Sequence, residues 1–219
     1  MTLGIAVAAA LLALVVTWSV VPFLAVRAGR WLLVDHPGGR KIHVEPTPVV
    51  GGAAMAIGIA SAVLVGGAMH LVVRPTAGAP FAWWVAAPYV SGALLLLFVG
   101  ILDDRKGLSA ATKLAAQVVA ALPILMLDGF PLLPALLPAW VSHAGTLFWF
   151  LAVVNAFNLV DGLDGLMGSV ALICALAFAT MAWSWNLTDA VFILAILIGA
   201  LVGFLRWNLP RAATFAGDG

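Results

Sequence analysis

Long apolar runs alternate with short polar segments along almost the whole chain. A helix that crosses the hydrocarbon core of a bilayer needs about 20 apolar residues, and seven runs reach or approach that length. Each run therefore predicts one membrane-spanning helix. The predicted spans cover residues 3–26, 49–72, 83–102, 111–127, 142–159, 165–184 and 190–207.

The composition supports burial in lipid. Of 219 residues, 64% are hydrophobic and only 9% are charged, whereas soluble domains carry about 25% charged residues. We therefore predict an all-α, polytopic integral membrane helical bundle of about seven transmembrane helices, forming a single domain over residues 1–219. The net charge of +1 gives no indication of nucleic acid. Cys174 is the single cysteine, so an internal disulfide is excluded, and its side chain is predicted to have a packing role.

The basic residues are concentrated on one predicted side of the membrane. Nine of them belong to the loops after spans one, three, five and seven, with their flanks, and only Arg74 belongs to the other loops. The positive-inside rule places the first set in the cytoplasm and the N-terminus outside. The nine are Arg27, Arg30, Arg40, Lys41, Arg105, Lys106, Lys113, Arg206 and Arg211.

Two adjacent carboxylates, Asp103 and Asp104, end the third predicted span within GILDDRKGLSAATKLAAQ. The dipole at a helix C-terminus disfavours negative charge, so a cation must compensate. Arg105 and Lys106 offer one explanation. A divalent ion offers another, because Mg²⁺ binds through a few carboxylates together with waters and phosphates.

Further basic residues on the same side are candidates for anion binding. Lys113 lies near the start of span four, either as an ordinary flanking lysine or as a clamp for phosphate. The long polar loop of residues 27–52 adds Arg40, Lys41 and His43, after a Pro-Gly-Gly turn.

The segment NAFNLVDGLDGL separates spans five and six and carries a polar residue at every third position. These residues are Asn155, Asn158, Asp161 and Asp164. On an unbroken helix, a three-residue step turns each side chain by about 60°, so four of them would fan across half the helix. Gly162 and Gly165 predict a break that lets them converge. An aspartate that caps span six would explain one carboxylate only.

The last segment, RWNLPRAATFAGDG, places Asn208, Phe215 and Asp218 after the seventh span. The acidic residues would hold a metal ion, the basic residues would bind phosphates, and the amide side chains would orient a ligand. This set suits phosphoryl transfer between a nucleotide and a membrane lipid. A transporter would instead need ionisable groups near the bilayer midplane, and the predicted span interiors have none.

Four segments, in order, resemble the polyprenyl-phosphate N-acetylhexosamine-1-phosphate transferases of glycosyltransferase family 4. They are DHPGGRKIHVEPTPVVGG, LDDRKGLSAATKLAAQ, NAFNLVDGLDGL and NLPRAATFAGDG. The resemblance implies transfer of N-acetylglucosamine-1-phosphate from a UDP-sugar to undecaprenyl phosphate, with release of UMP. It further implies Mg²⁺, with Mn²⁺ as a substitute, and an active site on the cytoplasmic face of the bacterial inner membrane. Such a reaction starts a cell-envelope glycan, such as a cell-wall or lipopolysaccharide polymer.

The resemblance also implies roles for single residues. By its place in the motif, Asp103 matches the residue proposed to act as the base that deprotonates the lipid phosphate. The resemblance implies that Asp103, Asp104 and Asp161 are the catalytic residues. The implied metal ligands are Asp104, Asp161 and Asp218. Lys113 and Asn158 match groups that hold the diphosphate, and Asp164, Asn208 and Phe215 match positions near the nucleotide. Asn155 and the anion-binding candidates Arg40, Lys41 and His43 are further predicted to bind substrate.

Three alternatives stay open. The related branch that transfers UDP-N-acetylmuramoyl-pentapeptide usually carries GTPTMGG where this chain has EPTPVVGG. Family members have about ten or eleven spans, so we expect this chain to be truncated at its C-terminus. As an inactive fragment it would have weak activity or none. A transporter is the alternative of another class. The resemblance also leaves a homodimer open.

Overall fold

The computed structural model describes residues 3–36, 45–73, 83–126 and 138–218. These residues form seven α-helices and one two-stranded sheet, which confirms the predicted all-α class and the seven helices. In chain order the elements are α1 (Leu3–Trp31), β1 (Val34–Asp35), β2 (Thr47–Pro48), α2 (Gly51–Val73), α3 (Trp83–Lys106), α4 (Ala110–Leu125), α5 (Ala139–Val160), α6 (Leu166–Ser184) and α7 (Thr188–Asn208).

Six of these helices are long and apolar enough to cross a membrane. The protein is therefore a polytopic helical membrane protein. The exception is α4, the predicted fourth span, which has only 16 residues and a length of about 24 Å, short of the roughly 30 Å hydrocarbon core. It begins after Ser109, whose hydroxyl accepts a hydrogen bond from the Thr112 amide at 3.2 Å, an N-cap that satisfies one free helix donor.

The best-buried part of the bundle lies where α1, α2 and α7 meet. Small residues such as Ala9, Ala13 and Ala62 pack there against Phe192 and Ile196 of α7, since small side chains let membrane helices approach closely. The helix α6 packs on α7, while α3 packs on α4 and α4 on α5. Large apolar side chains on the outer faces are exposed, as expected where a bilayer surrounds the bundle.

A short hairpin follows α1. Its strands β1 and β2 are antiparallel, with Val34 opposite Pro48 and Asp35 opposite Thr47. The sequence indicates a polar loop here but not the pairing. Residues 37–44, which include the candidate anion-binding residues Arg40, Lys41 and His43, lie outside the described residues.

The segment after α7, residues 209–218, runs back to the start of α2. The Gly51 and Gly52 amides donate to the carbonyls of Phe215 and Ala216 at 3.0 and 2.8 Å. These bonds satisfy amides that have no partner within the first turn of a helix. The end of α7 is thereby joined to the beginning of α2, and the segment passes close to the ends of α3 and α5.

Candidate active site

At the end of α3, Asp103 is held by contacts from outside its own helix. Its side chain is 6% exposed, and one carboxylate oxygen accepts a hydrogen bond from the Leu108 amide at 2.6 Å. The other oxygen forms an ion pair with Lys113 of α4. The cation beside Asp103 therefore comes from the next helix, while Arg105 and Lys106 are exposed.

Lys113 joins two distant carboxylates. Its ammonium nitrogen lies 2.9 Å from an Asp218 carboxylate oxygen as well as pairing with Asp103. A charge-assisted hydrogen bond is stronger than a neutral one, so this lysine fixes the beginning of α4 against the segment after α7.

The C-cap residue of α5, Asp161, contacts that same segment. Its carboxylate accepts hydrogen bonds from the Ala216 amide at 3.1 Å and the Gly217 amide at 2.8 Å. Burial raises the pKa of Asp161 to about 6; repulsion from Asp218 and Asp35 adds to this, and the two backbone hydrogen bonds oppose it. Negative charge is therefore costly at this position without a cation.

Asp104 and Asp218 meet through the backbone. The Asp218 amide donates to both carboxylate oxygens of Asp104, each at 3.2 Å. Gly217 permits this approach, because its φ is +85° and a β-carbon there would lie 2.6 Å from an Asp104 oxygen. Burial raises the pKa of the Asp218 carboxyl, and the adjacent Asp103 adds to the rise, while Lys113 opposes it.

These groups line one open cleft of about 790 Å³, called here the aspartate cleft. Its charged lining residues, within the described ranges, are Asp35, Asp103, Asp104, Lys113, Asp161 and Asp218. Five carboxyl groups thus face one ammonium. Asn158, Phe215 and Gly217 also line this cleft. Asp35, in β1, is not among the sequence-predicted site residues; the signal that could have found it is its place as the first residue of the segment DHPGGRKIHVEPTPVVGG.

The predicted break in NAFNLVDGLDGL is confirmed. Between α5 and α6 the chain turns through Gly165, whose φ is +72°, a left-handed conformation that favours glycine. No side chain caps α6, so capping does not explain the aspartates. Asp164 instead accepts a hydrogen bond from the Ala212 amide at 3.1 Å.

Two predicted substrate-binding asparagines make contacts within the protein. Asn208 is fully buried: its oxygen accepts from the Gly165 amide at 3.1 Å, and its nitrogen donates to the Thr214 carbonyl at 2.9 Å. Asn155 pairs with Gln117 of α4. Neither lines the aspartate cleft, and their contact with substrate stays a prediction.

A second cleft, of about 840 Å³, opens beside the first and shares Gly162, Leu163 and Phe215 with it. Glu45, Asp164 and Arg211 supply its charged lining. Because the two clefts share Gly162, Leu163 and Phe215, they are adjacent. Asp164 lines the second cleft and Phe215 lines both; their predicted contact with a nucleotide stays a prediction. Glu45 and Arg211 were not predicted.

The aspartate cleft has the donor set that suits Mg²⁺. Among the described residues, no three His, Cys, Asp or Glu side chains are grouped so as to enclose a metal ion by themselves. Mg²⁺ bound with phosphates needs only one or two carboxylates, however, and retains waters. Asp104 and Asp161 are close enough to repel each other, which is a feature that a divalent cation would relieve.

The fold and the cleft define a class: a polytopic helical membrane protein that gathers carboxylates and a lysine at one end of its bundle. Comparison with known families identifies it further. The sequence profile of the family described as Glycosyl transferase family 4 matches residues 86–219, which is more than half of the chain. The chain belongs to this family.

Individual relatives agree. The chain is 36% identical, over 95% of its length, to the decaprenyl-phosphate N-acetylglucosaminephosphotransferase of Mycolicibacterium smegmatis. It is 32% identical, over 95% of its length, to the probable undecaprenyl-phosphate N-acetylglucosaminyl 1-phosphate transferase of Bacillus subtilis. It covers 54% and 56% of these two proteins, so it spans about half of their length. The chain is also 34% identical, over 91% of its length, to a phospho-N-acetylmuramoyl-pentapeptide-transferase of Desulforudis audaxviator, and it covers 66% of that protein.

Proposed function

We propose that this protein transfers N-acetylglucosamine-1-phosphate from UDP-N-acetylglucosamine to a polyprenyl phosphate at the cytoplasmic face of the inner membrane. A lipid phosphate oxygen forms a bond to the phosphorus next to the sugar, the bond from that phosphorus to the bridging oxygen breaks, and UMP leaves. The observation that carries the proposal is the convergence of carboxylates from four separate stretches of chain with Lys113 in one cleft. The names of the relatives support the substrates.

The proposed roles follow from position and chemistry. Asp103, which Lys113 and the Leu108 amide keep oriented, receives the proton of the lipid phosphate. Lys113 and Asn158 contact the diphosphate, because an ammonium and an amide are suitable donors to phosphate oxygens. Asp164 and Phe215 lie toward the second cleft, where the nucleoside would find a polar group and an aromatic face.

Asp104, Asp161 and Asp218 would hold Mg²⁺. When bound, the ion would neutralise charge on the diphosphate and orient it. The protein's own contribution is to bring the three carboxylates together, through the backbone amides of residues 216–218. Positioning and charge neutralisation account for most of the catalysis in phosphoryl transfer.

The bundle supports a membrane substrate and a soluble one at the same site. The residues of the cleft come from the ends of α3 and α5 and the beginning of α4. The predicted positive-inside loops belong to this same end. A polyprenyl chain in the bilayer and a nucleotide in the cytoplasm would both reach such a cleft.

The test uses the purified full-length protein in detergent with polyprenyl phosphate and Mg²⁺. UDP-N-acetylglucosamine and UDP-N-acetylmuramoyl-pentapeptide are supplied in parallel reactions. We expect UMP and a lipid diphosphate sugar with the first donor, and loss of both in Asp103→Asn. Asp189→Asn is the matched control, because Asp189 is exposed in the first turn of α7, about 30 Å from the other end of that helix.

Two results would overturn the proposal. Turnover with the pentapeptide donor alone would assign the protein to the related reaction. Absence of UMP with both donors, in a protein that remains folded, would remove the transferase activity.

A further inference from the structure

Two amide side chains link α4 to α5 just below the aspartate cleft. The Asn155 nitrogen donates to the Gln117 oxygen at 2.7 Å, and the Gln117 nitrogen donates to the Asn155 oxygen at 3.4 Å. The Asn155 nitrogen donates in addition to the Leu151 carbonyl of its own helix at 2.8 Å. Gln117 is only 6% exposed. In apolar surroundings such amides strongly prefer partners to isolation.

The pair lies one helical turn from two residues of the cleft. Gln117 follows Lys113 by four positions on α4, and Asn158 follows Asn155 by three on α5, so each pair shares one helix face. Gln117 also lines a cavity of about 40 Å³, together with Asp103, Lys113, Asn158 and Asp218. The amide pair and the charged groups are therefore neighbours in space.

On the side away from α4, Phe157 and Val160 of α5 pack against the buried cluster of Met167, Phe204 and Ala216. The two buried residues of the helix are Ser142 and Thr146, in the half away from the cleft. At the other half, Asn155 is itself exposed. Toward α4, the polar link near the cleft is the Gln117–Asn155 pair, whose two hydrogen bonds join the helices directly.

We propose that Gln117 and Asn155 form a positioning pair, which sets the separation between Lys113 on α4 and Asn158 on α5. The role in turnover rests on the proposed function. It differs from direct contact of Asn155 with substrate, because it requires Gln117 and Asn155 to act as one unit.

The experiment exchanges the two side chains. Gln117→Asn shortens one partner, Asn155→Gln lengthens the other, and the double exchange restores the combined length. Each single variant is expected to lower kcat about 10-fold with little change in KM, and the double exchange to recover within about threefold of the unmodified protein. Ser91→Ala is the control, since Ser91 is exposed and donates to the Pro88 carbonyl within its own turn, and it should leave kcat unchanged.

A second readout does not depend on turnover. Lys113 is one-third exposed, so an amine-acylating reagent can label it, and peptide mass spectrometry gives the rate at that site. Each single variant should loosen Lys113 from its carboxylates and raise the rate at least threefold, while the double exchange should return it to the original value.

The two readouts separate the possible failures. Unchanged labelling in the single variants, or no recovery in the double exchange, would overturn the positioning pair. A raised KM that persists in the double exchange would assign Asn155 to substrate contact instead. If the unmodified protein shows no turnover, the proposed function fails, and labelling still decides whether the pair positions Lys113.

Discussion

The ammonium of Lys113 lies 2.9 Å from a carboxylate oxygen of Asp218, although 105 positions separate them in the chain. The same ammonium pairs with Asp103 at the end of α3. One side chain of α4 therefore joins α3 to the segment after α7. Among the described residues that line the aspartate cleft, it is the only cation.

Replacing Lys113 with methionine should abolish most activity. Two charge-assisted hydrogen bonds disappear, each worth about 1.5–3 kcal/mol, and Asp103 and Asp218 lose their shared cation. We expect UMP release to fall by at least about 100-fold and the melting temperature to drop. The control is Lys106→Met, which removes an exposed lysine outside the cleft. Equal activity in the two variants would contradict this role of Lys113.

Gly217→Ala should impair activity more than stability. An alanine at φ +85° is strained by about 1–2 kcal/mol, and its β-carbon would approach the Asp104 oxygen to 2.6 Å. Asp104 must then move, and we expect turnover to fall by about 10-fold or more. Gly29→Ala is the matched control, because no atom lies within 4 Å of a β-carbon placed there. Comparison of kcat with melting temperature for both variants tests the prediction; full activity of Gly217→Ala would refute it.

The stability of the metal-free protein should decrease between acid and neutral pH. Burial raises the folded-state pKa of Asp161 from 3.8 to about 6. Because the folded pKa is the higher one, this contribution is fully present below pH 3.8 and is lost as the pH rises through about 6. The shift of about two pKa units corresponds to roughly 3 kcal/mol. About half of this contribution, roughly 1.4 kcal/mol, is lost between pH 5 and pH 7.5, and thermal unfolding at these two pH values in the presence of a chelator measures that part.

Asp161→Asn supplies the control for that pH dependence. The variant loses the titrating group, so its unfolding should depend less on pH over the same interval. An identical pH dependence in both proteins would show that other groups are responsible.

Mg²⁺ should stabilise the folded protein at pH 7.5. A ligand that binds only the folded state raises the free energy of unfolding by RT ln(1 + [L]/Kd). We expect the melting temperature to rise with Mg²⁺ concentration, and the rise to be much smaller in Asp104→Asn or Asp161→Asn. Asp189→Asn, at the far end of α7, should respond like the unmodified protein. A full response in the cleft variants would argue against the proposed ligands.

Asn208→Leu should destabilise the protein and loosen the segment after α7. The replacement leaves the buried Gly165 amide and the Thr214 carbonyl without their partners, at about 1–3 kcal/mol for each group. The segment that carries Asp218 should then be more susceptible to proteolysis. Thr188→Leu, at the exposed first residue of α7, is the comparison. Resistance to proteolysis equal to that of the unmodified protein would refute this role.

The apolar pattern predicted the helices well because lipid imposes a simple rule. A spanning segment must be long, apolar and internally hydrogen-bonded, so the seven predicted runs correspond to α1–α7 within a few residues. The helix α4 is shorter than its predicted span, and its apolar run continues to Leu127 in the sequence.

The grouping of the acids was also predictable, since alternating spans bring every second loop to one side of the membrane. Asp103, Asp104, Asp161 and Asp218 do share one cleft. The individual contacts were not predictable. Whether Asn208 faces a ligand or the Gly165 amide depends on how the chain turns after α7, and no local pattern records that turn.

What the amino-acid sequence by itself determined is therefore the set of helices, their alternation and the side on which charge collects, because each depends on local hydropathy. The tertiary structure alone decided which cation meets which carboxylate, and that backbone amides of residues 216–218 hold Asp104 and Asp161. Those contacts join residues more than 50 positions apart. They arise only after the helices have packed and brought their ends together.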